Sequence, residues 1–246
     1  MKIEISKKLL RVVGKTNAEF SLIGEGDKVV LGLSGGKDSL MLAHILKHVK
    51  RHAPFNFEFM AVTVDYGMGE DFSELQKHTE KYEIPHQIYK TEIYEIAKEK
   101  IRENSSYCSF FSRMRRGAIY SATEKLGFNK VALGHHLDDA VESFFMNMFY
   151  NSTMRSLPPK YEAGNGLEVV RPLIRVRERQ LTDGALKAGL PLIGDDACPA
   201  LRFDIKSPHL RYEMKDMLAN LEKQHKDMFG SISRAFSNFH HDSFFN

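Results

Sequence analysis

A glycine-rich segment, Leu-Ser-Gly-Gly-Lys-Asp-Ser at 33–39, combines residue types that are suited to holding a phosphate group. Gly35 and Gly36 allow main-chain conformations that a Cβ atom would block, and they let the backbone approach a ligand closely. A helix that begins just after such a turn directs its free amides and the positive end of its dipole at the bound group. We therefore predict that this segment binds the phosphates of a nucleotide.

The side chains of the same segment support this prediction. Lys37 can neutralise phosphate charge, and Asp38 can hold a magnesium ion or orient the loop, so both are predicted to take part in catalysis. The spacing fits neither the Walker pattern nor the GxGxxG dinucleotide pattern. The residues predicted to bind the nucleotide here are Leu33, Ser34, Gly35, Gly36, Lys37, Asp38 and Ser39.

The segment Val62-Thr63-Val64-Asp65 ends an apolar run that is typical of a buried strand. Open α/β sheets bind ligands beyond the carboxyl ends of their strands. At such a position Val64 could offer backbone groups to an adenine ring, and Asp65 could offer a carboxylate to a ribose. Both residues are therefore predicted to bind the nucleotide.

The segment Gly134-His135-His136-Leu137-Asp138-Asp139 occupies the equivalent place after a later strand. Gly134, His135 and Asp139 are predicted to contact the nucleotide. The paired acids Asp138 and Asp139 at a helix start could cap that helix. They could equally hold magnesium against pyrophosphate, because magnesium prefers carboxylates together with phosphate oxygens. We favour the magnesium site and leave capping as the alternative.

Short apolar runs and amphipathic patterns define the elements that must position these residues. Predicted strands cover 28–33, 57–64, 86–90, 130–134 and 167–171, and predicted helices cover 3–23, 40–49, 71–83, 93–102, 112–126 and 137–150. Strands that alternate with helices imply right-handed crossovers and a parallel sheet covered on both faces. The predicted fold class is α/β, a doubly wound, mostly parallel five-stranded sheet with an N-terminal helix and a helical C-terminal extension.

The chain divides into three predicted parts. Residues 1–24 form an amphipathic N-terminal helix, residues 25–195 the nucleotide-binding α/β domain, and residues 196–246 the helical extension. Residues 151–166, which contain two prolines and two glycines, are predicted to be a loop. The extension is rich in phenylalanine, which could pack in the core, stack RNA bases or form a homodimer contact. These aromatic residues are Phe236, Phe239, Phe244 and Phe245.

Composition and charge exclude several classes of protein. A hydrophobic content of 42% and a charged content of 27% are ordinary for a folded globular protein. Since no apolar stretch approaches the ~20 residues that span a bilayer, and the N-terminus lacks the apolar run of a signal peptide, we predict a cytoplasmic location with no membrane partner. The net charge of +3 does not by itself indicate a nucleic-acid partner, although arginines cluster at 113–116 and 171–179.

Taken in order, the motifs resemble those of the tRNA 2-thiocytidine synthetase family, which belongs to the PP-loop ATP pyrophosphatase superfamily and is similar to the lysidine synthetases. The resemblance runs nearly end to end. It is carried by LSGGKDS at 33–39, SRMRRG at 112–117, LGHHLDDAVESFFMNMFY at 133–150, LPPK at 157–160, VVRPLIRVRE at 169–178 and MKDMLANLEKQH at 214–225.

The resemblance implies a Rossmann-like fold of the adenine nucleotide alpha-hydrolase type and an enzyme that cleaves ATP between its α- and β-phosphates. It implies ATP, magnesium and tRNA as ligands, with sulfur placed on a cytidine of the anticodon loop. A sulfur donor such as a cysteine desulfurase is the expected partner. The arginines predicted to bind RNA are Arg113, Arg116, Arg171 and Arg175.

The cysteines depart from the family pattern. Members usually carry two Cys-x-x-Cys pairs, of which three thiols hold an iron–sulfur cluster, whereas this chain has Cys108 with Phe111 and Asp195 with Cys198. In one alternative Cys108, Asp195 and Cys198 hold a [4Fe-4S] cluster. In another the two cysteines carry and resolve a persulfide. In a third both are small buried residues outside the chemistry. We predict Cys108 and Cys198 to be catalytic.

Three functions follow from these features. The leading prediction is an ATP-dependent tRNA sulfurtransferase, which adenylates a cytosine oxygen so that sulfur can displace AMP. The second is a PP-loop enzyme that adenylates tRNA for a non-sulfur nucleophile, which the missing thiols suggest. The third is a non-catalytic protein that binds tRNA or a nucleotide, and the intact glycine loop and paired acids argue against it.

Overall fold

The computed structural model describes residues 3–100, 107–191 and 210–243, without the side chains of 107–109 and 241. The helices are α1 Lys7–Phe20, α2 Lys37–His52, α3 Ser73–Lys81, α4 Ile93–Lys100, α5 Tyr107–Lys125, α6 Leu137–Tyr150, α7 Glu178–Lys187, α8 Leu210–Gln224 and α9 Met228–Ala235. The strands are β1 Lys28–Gly32, β2 Glu58–Asp65, β3 His86–Lys90, β4 Lys130–Ala132, β5 Lys160–Glu162 and β6 Glu168–Val170.

The strands form one sheet in the order β3-β2-β1-β4-β6-β5. All neighbouring strands pair in parallel except β5, which runs antiparallel to β6 at the edge. In β1, Val29, Val30 and Leu31 are fully buried. A parallel strand covered on both faces requires such a continuous apolar run. The predicted α/β, doubly wound fold class is confirmed.

Helices cover both faces of the sheet and bury two apolar layers. On one face Leu9 of α1, Leu42 of α2 and Leu181 of α7 belong to one cluster of buried residues. On the other face Ile93 of α4 and Ile119 of α5 belong to a second cluster. The strand order reverses between β1 and β4, so the carboxyl ends of these two strands lie where doubly wound sheets bind their ligands.

Two elements differ from the predicted set. The predicted loop at 151–166 contains β5, so the sheet has six strands rather than five. Strand β5 reads Lys-Tyr-Glu and buries no side chain, so it lacks the apolar run that marks the equally short β4 and β6; it is defined instead by its pairing with β6 and by Gly166, whose φ is +81°. Helix α7 is absent from the prediction although Leu181 and Ala185 lie on one helical face, because Thr182, Asp183 and Gly184 inside it have low helix propensity.

The C-terminal helices pack on α6 rather than on the sheet. Met214 and Leu218 of α8 and Phe229 of α9 form a third apolar cluster with Leu137 and Val141 of α6. The predicted extension is helical over 210–224 and 228–235, while its predicted start at 196 lies outside the described residues. In the described parts of the chain, no helix combines the length and apolar character needed to cross a membrane.

Candidate functional site

The phosphate loop connects β1 to α2 at the carboxyl edge of the sheet. Leu33 is still tied to β2, since its N–H donates to Val62 O at 2.9 Å. Gly35 has a φ of +84°, a left-handed conformation that favours glycine, and Gly36 is the N-cap of α2. The first amides of a helix have no partner within the helix, so those of α2 are free to bind a ligand held in the loop.

The two serines of the loop hold its shape. Ser39 Oγ accepts a hydrogen bond from Ser34 N at 3.2 Å and donates to Gly36 O at 2.9 Å. The hydroxyl oxygens of Ser34 and Ser39 are 3.1 Å apart. Both hydroxyls are thus engaged within the loop, where they order the backbone around the phosphate position. Their direct contact with nucleotide stays a prediction.

Lys37 and Asp38 begin α2 beside a carboxylate from α7. Lys37 Nζ donates to Glu178 Oε1 at 3.0 Å and to Asp38 Oδ2 at 3.3 Å. Asp38 Oδ1 is buried and has no hydrogen-bond partner among the described residues. Burial raises the pKa of the Asp38 carboxyl, although His136 and Lys37 oppose this rise. A buried carboxylate oxygen without a donor is suited to a cation.

The end of β4 lies against the phosphate loop. A Cβ atom on Gly134 would lie only 3.3 Å from Ser39 N and 3.4 Å from the carbonyl carbon of Asp38, so glycine permits this close approach. Burial lowers the pKa of His135 to about 4, against the opposing charge of Asp139, so its imidazole is neutral near pH 7. Two of the predicted nucleotide segments therefore meet between the carboxyl ends of β1 and β4.

Asp139 takes part in a capping box at the start of α6. Its Oδ2 accepts from His136 N at 3.0 Å, and its backbone N–H donates to His136 Nδ1 at 3.4 Å. Its other oxygen, Oδ1, accepts from Arg211 Nη2 of α8 at 2.7 Å. The capping alternative is thus present for Asp139, and a magnesium ion would have to share this carboxylate with Arg211.

Asp138 joins α6 to the start of α7. Its carboxylate accepts from Arg177 Nε at 3.1 Å and from the backbone N–H of Glu178 at 2.7 Å. Among the described residues, no three or more His, Cys, Asp and Glu side chains are grouped to hold a metal ion. The magnesium role of Asp138 and Asp139 stays a prediction.

The carboxyl end of β2 lies on the other side of β1. Val64 is buried, and Asp65 Oδ1 accepts from Gly67 N at 2.8 Å, which orders the turn after the strand. The Asp65 carbonyl accepts from Thr91 N at 3.0 Å. Val64 and Asp65 thus end the strand beside β1, at the sheet edge where the phosphate loop begins. Their contacts with adenine and ribose stay predictions.

Comparison with known proteins identifies the family. The PP-loop domain family matches residues 1–216. The tRNA-cytidine(32) 2-sulfurtransferase of Geobacter sulfurreducens is 39% identical over 235 residues, which cover 94% of this chain and 90% of the relative. That of Alcanivorax borkumensis is 38% identical over 239 residues, covering 96% and 82%. The chain belongs to the tRNA-cytidine(32) 2-sulfurtransferase family of PP-loop proteins. The resemblance seen in the sequence motifs is confirmed.

Among solved structures, the U34-tRNA thiolase NcsA from Methanococcus maripaludis with its [4Fe-4S] cluster is similar with a TM-score of 0.78 and 26% identity. The match covers 94% of this sulfurtransferase-family chain and 78% of that chain. An NH3-dependent NAD synthetase from Campylobacter jejuni matches with a TM-score of 0.51 at 17% identity, covering 90% of this chain and 95% of that chain, which shows the shared fold alone.

Arginines of α5 form an exposed basic surface on this sulfurtransferase-family chain. Arg113, Arg115 and Arg116 are all exposed, and none forms an ion pair with a described residue. Helix α5 packs on β1, β2 and β4, the strands that carry the predicted nucleotide segments. Arg113 and Arg116, which the sequence predicts to bind RNA, are thus accessible. We name Arg113, Arg115 and Arg116 the α5 arginine surface.

The other two arginines predicted to bind RNA contact the protein. Arg171 is only 5% exposed, and its Nη1 donates to Pro158 O at 2.6 Å. Its guanidinium also lies over the Tyr161 ring, 5.1 Å from the ring centroid. Arg175 forms an ion pair with Glu19 of α1. In this structure these two arginines therefore fasten neighbouring segments and are not part of the α5 arginine surface.

Four charged residues around the loop are absent from the predicted site: Arg177, Glu178, Arg211 and Lys215. Glu178 meets Lys37 across 141 positions of the chain, so no local spacing could indicate the contact. The segment VVRPLIRVRE at 169–178, which carries part of the family resemblance and ends at Glu178, is the signal that could have directed attention to it.

The predicted sulfur chemistry lies outside the described side chains. Cys108 falls in the first turn of α5, but its side chain is not described, and Asp195 and Cys198 lie between the described ranges. The three alternatives for these residues, a cluster, a persulfide pair or a role outside the chemistry, therefore stay predictions. Phe244 and Phe245 are also outside the described residues.

Proposed function

We propose that this chain uses ATP to place sulfur on C2 of cytidine 32 in the anticodon loop of tRNA, and that it does so in the cytoplasm. The proposal is carried by the match, along nearly the whole chain, with proteins named tRNA-cytidine(32) 2-sulfurtransferase. The phosphate loop between β1 and α2, with Lys37 and the free helix amides, supports an ATP-dependent reaction.

The first step is the activation of the base. The O2 oxygen of cytosine attacks the α-phosphorus of ATP, the bond between the α-phosphorus and the bridging oxygen breaks, and pyrophosphate leaves. The amides at the start of α2 and the ammonium of Lys37 stabilise the negative charge that develops on the phosphates. The base oxygen then carries AMP, which is a far better leaving group than the original oxygen.

Asp38 fits a magnesium ion better than the paired acids do. Its Oδ1 is buried without a hydrogen-bond partner among the described residues, whereas Asp138 and Asp139 each contact an arginine. Magnesium prefers carboxylate and phosphate oxygens, and it would draw charge from the phosphates. We therefore propose Asp38 as its protein ligand, with Asp139, whose negative charge acts on Asp38, as the predicted acid that adds a second oxygen.

The second step replaces AMP by sulfur. A sulfur nucleophile attacks C2, the bond from C2 to the adenylated oxygen breaks, and AMP leaves. We propose that one of Cys108 and Cys198 receives sulfur as a persulfide from a donor such as a cysteine desulfurase, and that the outer persulfide sulfur attacks C2 as AMP leaves. The other cysteine then attacks the inner sulfur, which releases the thiolated base and leaves a disulfide that an external thiol reductant reopens. The structurally similar U34-tRNA thiolase NcsA carries a [4Fe-4S] cluster. This supports, as the alternative way to deliver sulfur, a cluster held by Cys108, Asp195 and Cys198.

The α5 arginine surface is the proposed contact with the tRNA backbone. Exposed arginines without carboxylate partners among the described residues are available to phosphate oxygens, which dominate affinity for nucleic acid. Arg171 and Arg175 would have to leave their present partners before they reached RNA. We therefore assign binding first to Arg113, Arg115 and Arg116.

A reconstituted reaction tests the proposal. Purified protein would be incubated with MgATP, a cysteine desulfurase with its cysteine substrate, and a thiol reductant, using a tRNA with cytidine at position 32 and the same tRNA with uridine there. We expect AMP, pyrophosphate and 2-thiocytidine with the first tRNA alone. Equal AMP formation with both tRNAs would contradict the proposed substrate. If the wild type forms AMP but no 2-thiocytidine, and AMP formation survives Cys108→Ala and Cys198→Ala, the result would favour a non-sulfur nucleophile.

A further inference from the structure

Lys37 is held by a carboxylate from a distant part of the chain. Its Nζ lies 3.0 Å from Glu178 Oε1, and the two side chains are 25% and 22% exposed. Asp38, the other partner of Lys37, is the adjacent residue and lies farther away, at 3.3 Å. Glu178 therefore provides the closer contact that fixes the direction of the Lys37 ammonium.

Glu178 shares its charge with a second lysine. Lys215 of α8 lies 2.7 Å from Glu178 Oε2, while Lys37 occupies Oε1. Burial alone would raise the pKa of Glu178, but the hydrogen bonds from Lys215 and Lys37 lower it to about 2. The carboxylate is therefore ionised near neutral pH, and two cations divide its attraction.

The main chain of Glu178 is fixed by a second set of contacts. Its backbone N–H donates to Asp138 Oδ2 at 2.7 Å, and Asp138 accepts from Arg177 Nε at 3.1 Å. Arg177 makes two further hydrogen bonds, of 2.7 and 2.9 Å, with Glu222 of α8. Both the backbone and the side chain of Glu178 are thus linked to α8.

We propose that Glu178 is a positioning residue that directs the Lys37 ammonium at the phosphates, and that Lys215 of α8 weakens the hold of Glu178 on Lys37. The inference rests on the proposed function, because it takes Lys37 to bind the phosphates of ATP. A triphosphate that approaches Lys37 competes with Glu178 for the same ammonium. Glu178 therefore weakens the binding of ATP while it keeps Lys37 aligned for the reaction.

Two substitutions of Glu178 separate these effects. Glu178→Ala removes a negative charge beside the triphosphate, so ATP should bind about threefold more tightly. The same change leaves Lys37 without its closer partner, so kcat should fall about tenfold. In Glu178→Gln the amide oxygen can still accept from Lys37, so ATP should bind more tightly while kcat stays within about threefold of the wild type.

Lys215→Met should have the opposite effect on ATP binding. The whole charge of Glu178 then acts on Lys37, so the Kd for ATP should rise about threefold. Glu83→Gln is the matched control, because Glu83 also pairs with two cations, Lys47 and Arg51, but contacts neither Lys37 nor the residues that hold Glu178. It should leave the Kd for ATP unchanged.

The experiment measures the Kd of MgATP by titration calorimetry, kcat from tRNA-dependent AMP formation, and Tm, all on the full chain. Opposite shifts of Kd in Glu178→Ala and Lys215→Met, with kcat rescued by Glu178→Gln, would support the inference. Unchanged or weaker ATP binding in Glu178→Ala, or an equal shift of Kd in Glu83→Gln, would overturn it and leave the proposed function intact. Wild-type protein that binds ATP with these shifts but forms no AMP would contradict the proposed function instead.

Discussion

Two charged regions near the carboxyl edge of the sheet are built in opposite ways. In the first, which we call the paired region, the helices α6, α7 and α8 meet the start of α2, and the cations contact carboxylates. Its ion pairs are Arg177 with Asp138 and Glu222, Arg211 with Asp139 and Glu142, and Lys37 and Lys215 with Glu178. On α5, the three arginines of the α5 arginine surface are exposed and have no ion pair with a described residue.

The difference indicates two roles for positive charge in one molecule. Breaking a partly buried ion pair leaves a charge without compensation, so the cations of the paired region stabilise the arrangement of helices around the phosphate loop. Exposed arginines contribute little to stability and remain available to phosphate oxygens. In our proposal the paired region supports the ATP site, and the α5 arginine surface is the contact with tRNA.

Lys37→Ala should give the largest effect, because Lys37 is the cation of the paired region that also belongs to the phosphate loop. The serine hydroxyls of the phosphate loop cannot replace the missing positive charge at the phosphates, so tRNA-dependent AMP formation should fall about 10²- to 10³-fold. The rate of AMP release measures this effect. Lys77→Ala, which breaks an exposed ion pair with Glu74, is the control and should leave the rate unchanged. A Lys37 variant with a near-normal rate would remove Lys37 from the mechanism.

Arg177→Ala tests the structural role of the paired region. The change leaves Asp138 and Glu222 without their shared cation, so the free energy of unfolding should fall by about 3 kcal/mol. Urea unfolding measures this loss. Arg179→Ala is the matched control, since Arg179 contacts the same Glu222 but its side chain is 68% exposed. Its unfolding free energy should change by less than about 0.5 kcal/mol, and equal losses would contradict the comparison.

Replacing the α5 arginine surface with alanine should affect tRNA and leave stability unchanged. In Arg113→Ala/Arg115→Ala/Arg116→Ala the Kd for tRNA should rise about tenfold at physiological salt, and the slope of log Kd against log salt should fall by about 2. Fluorescence titration at several salt concentrations measures both. Arg51→Ala/Arg234→Ala removes two arginines that have carboxylate partners and serves as the control. An unchanged salt slope in the triple variant would place tRNA elsewhere.

Acid should weaken the paired region through Glu178. Lysine contacts lower the pKa of this carboxyl from 4.5 in the unfolded chain to about 2, although burial opposes the change. Its stabilising contribution is therefore complete above pH 4.5 and is lost as the pH falls toward 2. The wild type should have a larger free energy of unfolding than Glu178→Gln at neutral pH, and this difference should shrink as the pH falls to 3. The change should be about 1 kcal/mol or less, because solvent screens this partly exposed group.

Urea unfolding at both pH values checks this smallest effect. The triple variant of the α5 arginine surface is the reference, since arginine does not titrate in this range and its difference from the wild type should stay constant. An advantage over Glu178→Gln that grows in acid would mean that Glu178 is not stabilised as the carboxylate.

Much of the fold could be predicted because its signals are local. The apolar run at 28–33 and the helix at 137–150 are contiguous patterns, and the structure has β1 and α6 in these places. Strand β5 could not be predicted, because Lys-Tyr-Glu has no apolar run and only its pairing with β6 defines it as a strand. Helix α7 is absent from the prediction because Thr182, Asp183 and Gly184 inside it have low helix propensity.

The candidate site also has a local part that the sequence reveals and a long-range part that it does not. The phosphate loop is visible in the sequence because its glycines, Lys37 and Asp38 are consecutive. The contact of Glu178 with Lys37 joins residues 141 positions apart, which only the folded chain brings together. The sequence also does not show which side chains are buried. Arg171 and Arg113 therefore look alike in the sequence, although the first is buried and the second exposed.

Nucleoside mass spectrometry of tRNA is the most direct test of the proposed thiolation. Cells that lack this gene would be compared with cells complemented by the wild-type chain or by Lys37→Ala. We expect 2-thiocytidine to disappear in the deletion strain, to return with the wild-type chain and to stay absent with Lys37→Ala. An unchanged level of 2-thiocytidine in the deletion strain would contradict the assignment of this chain to cytidine thiolation.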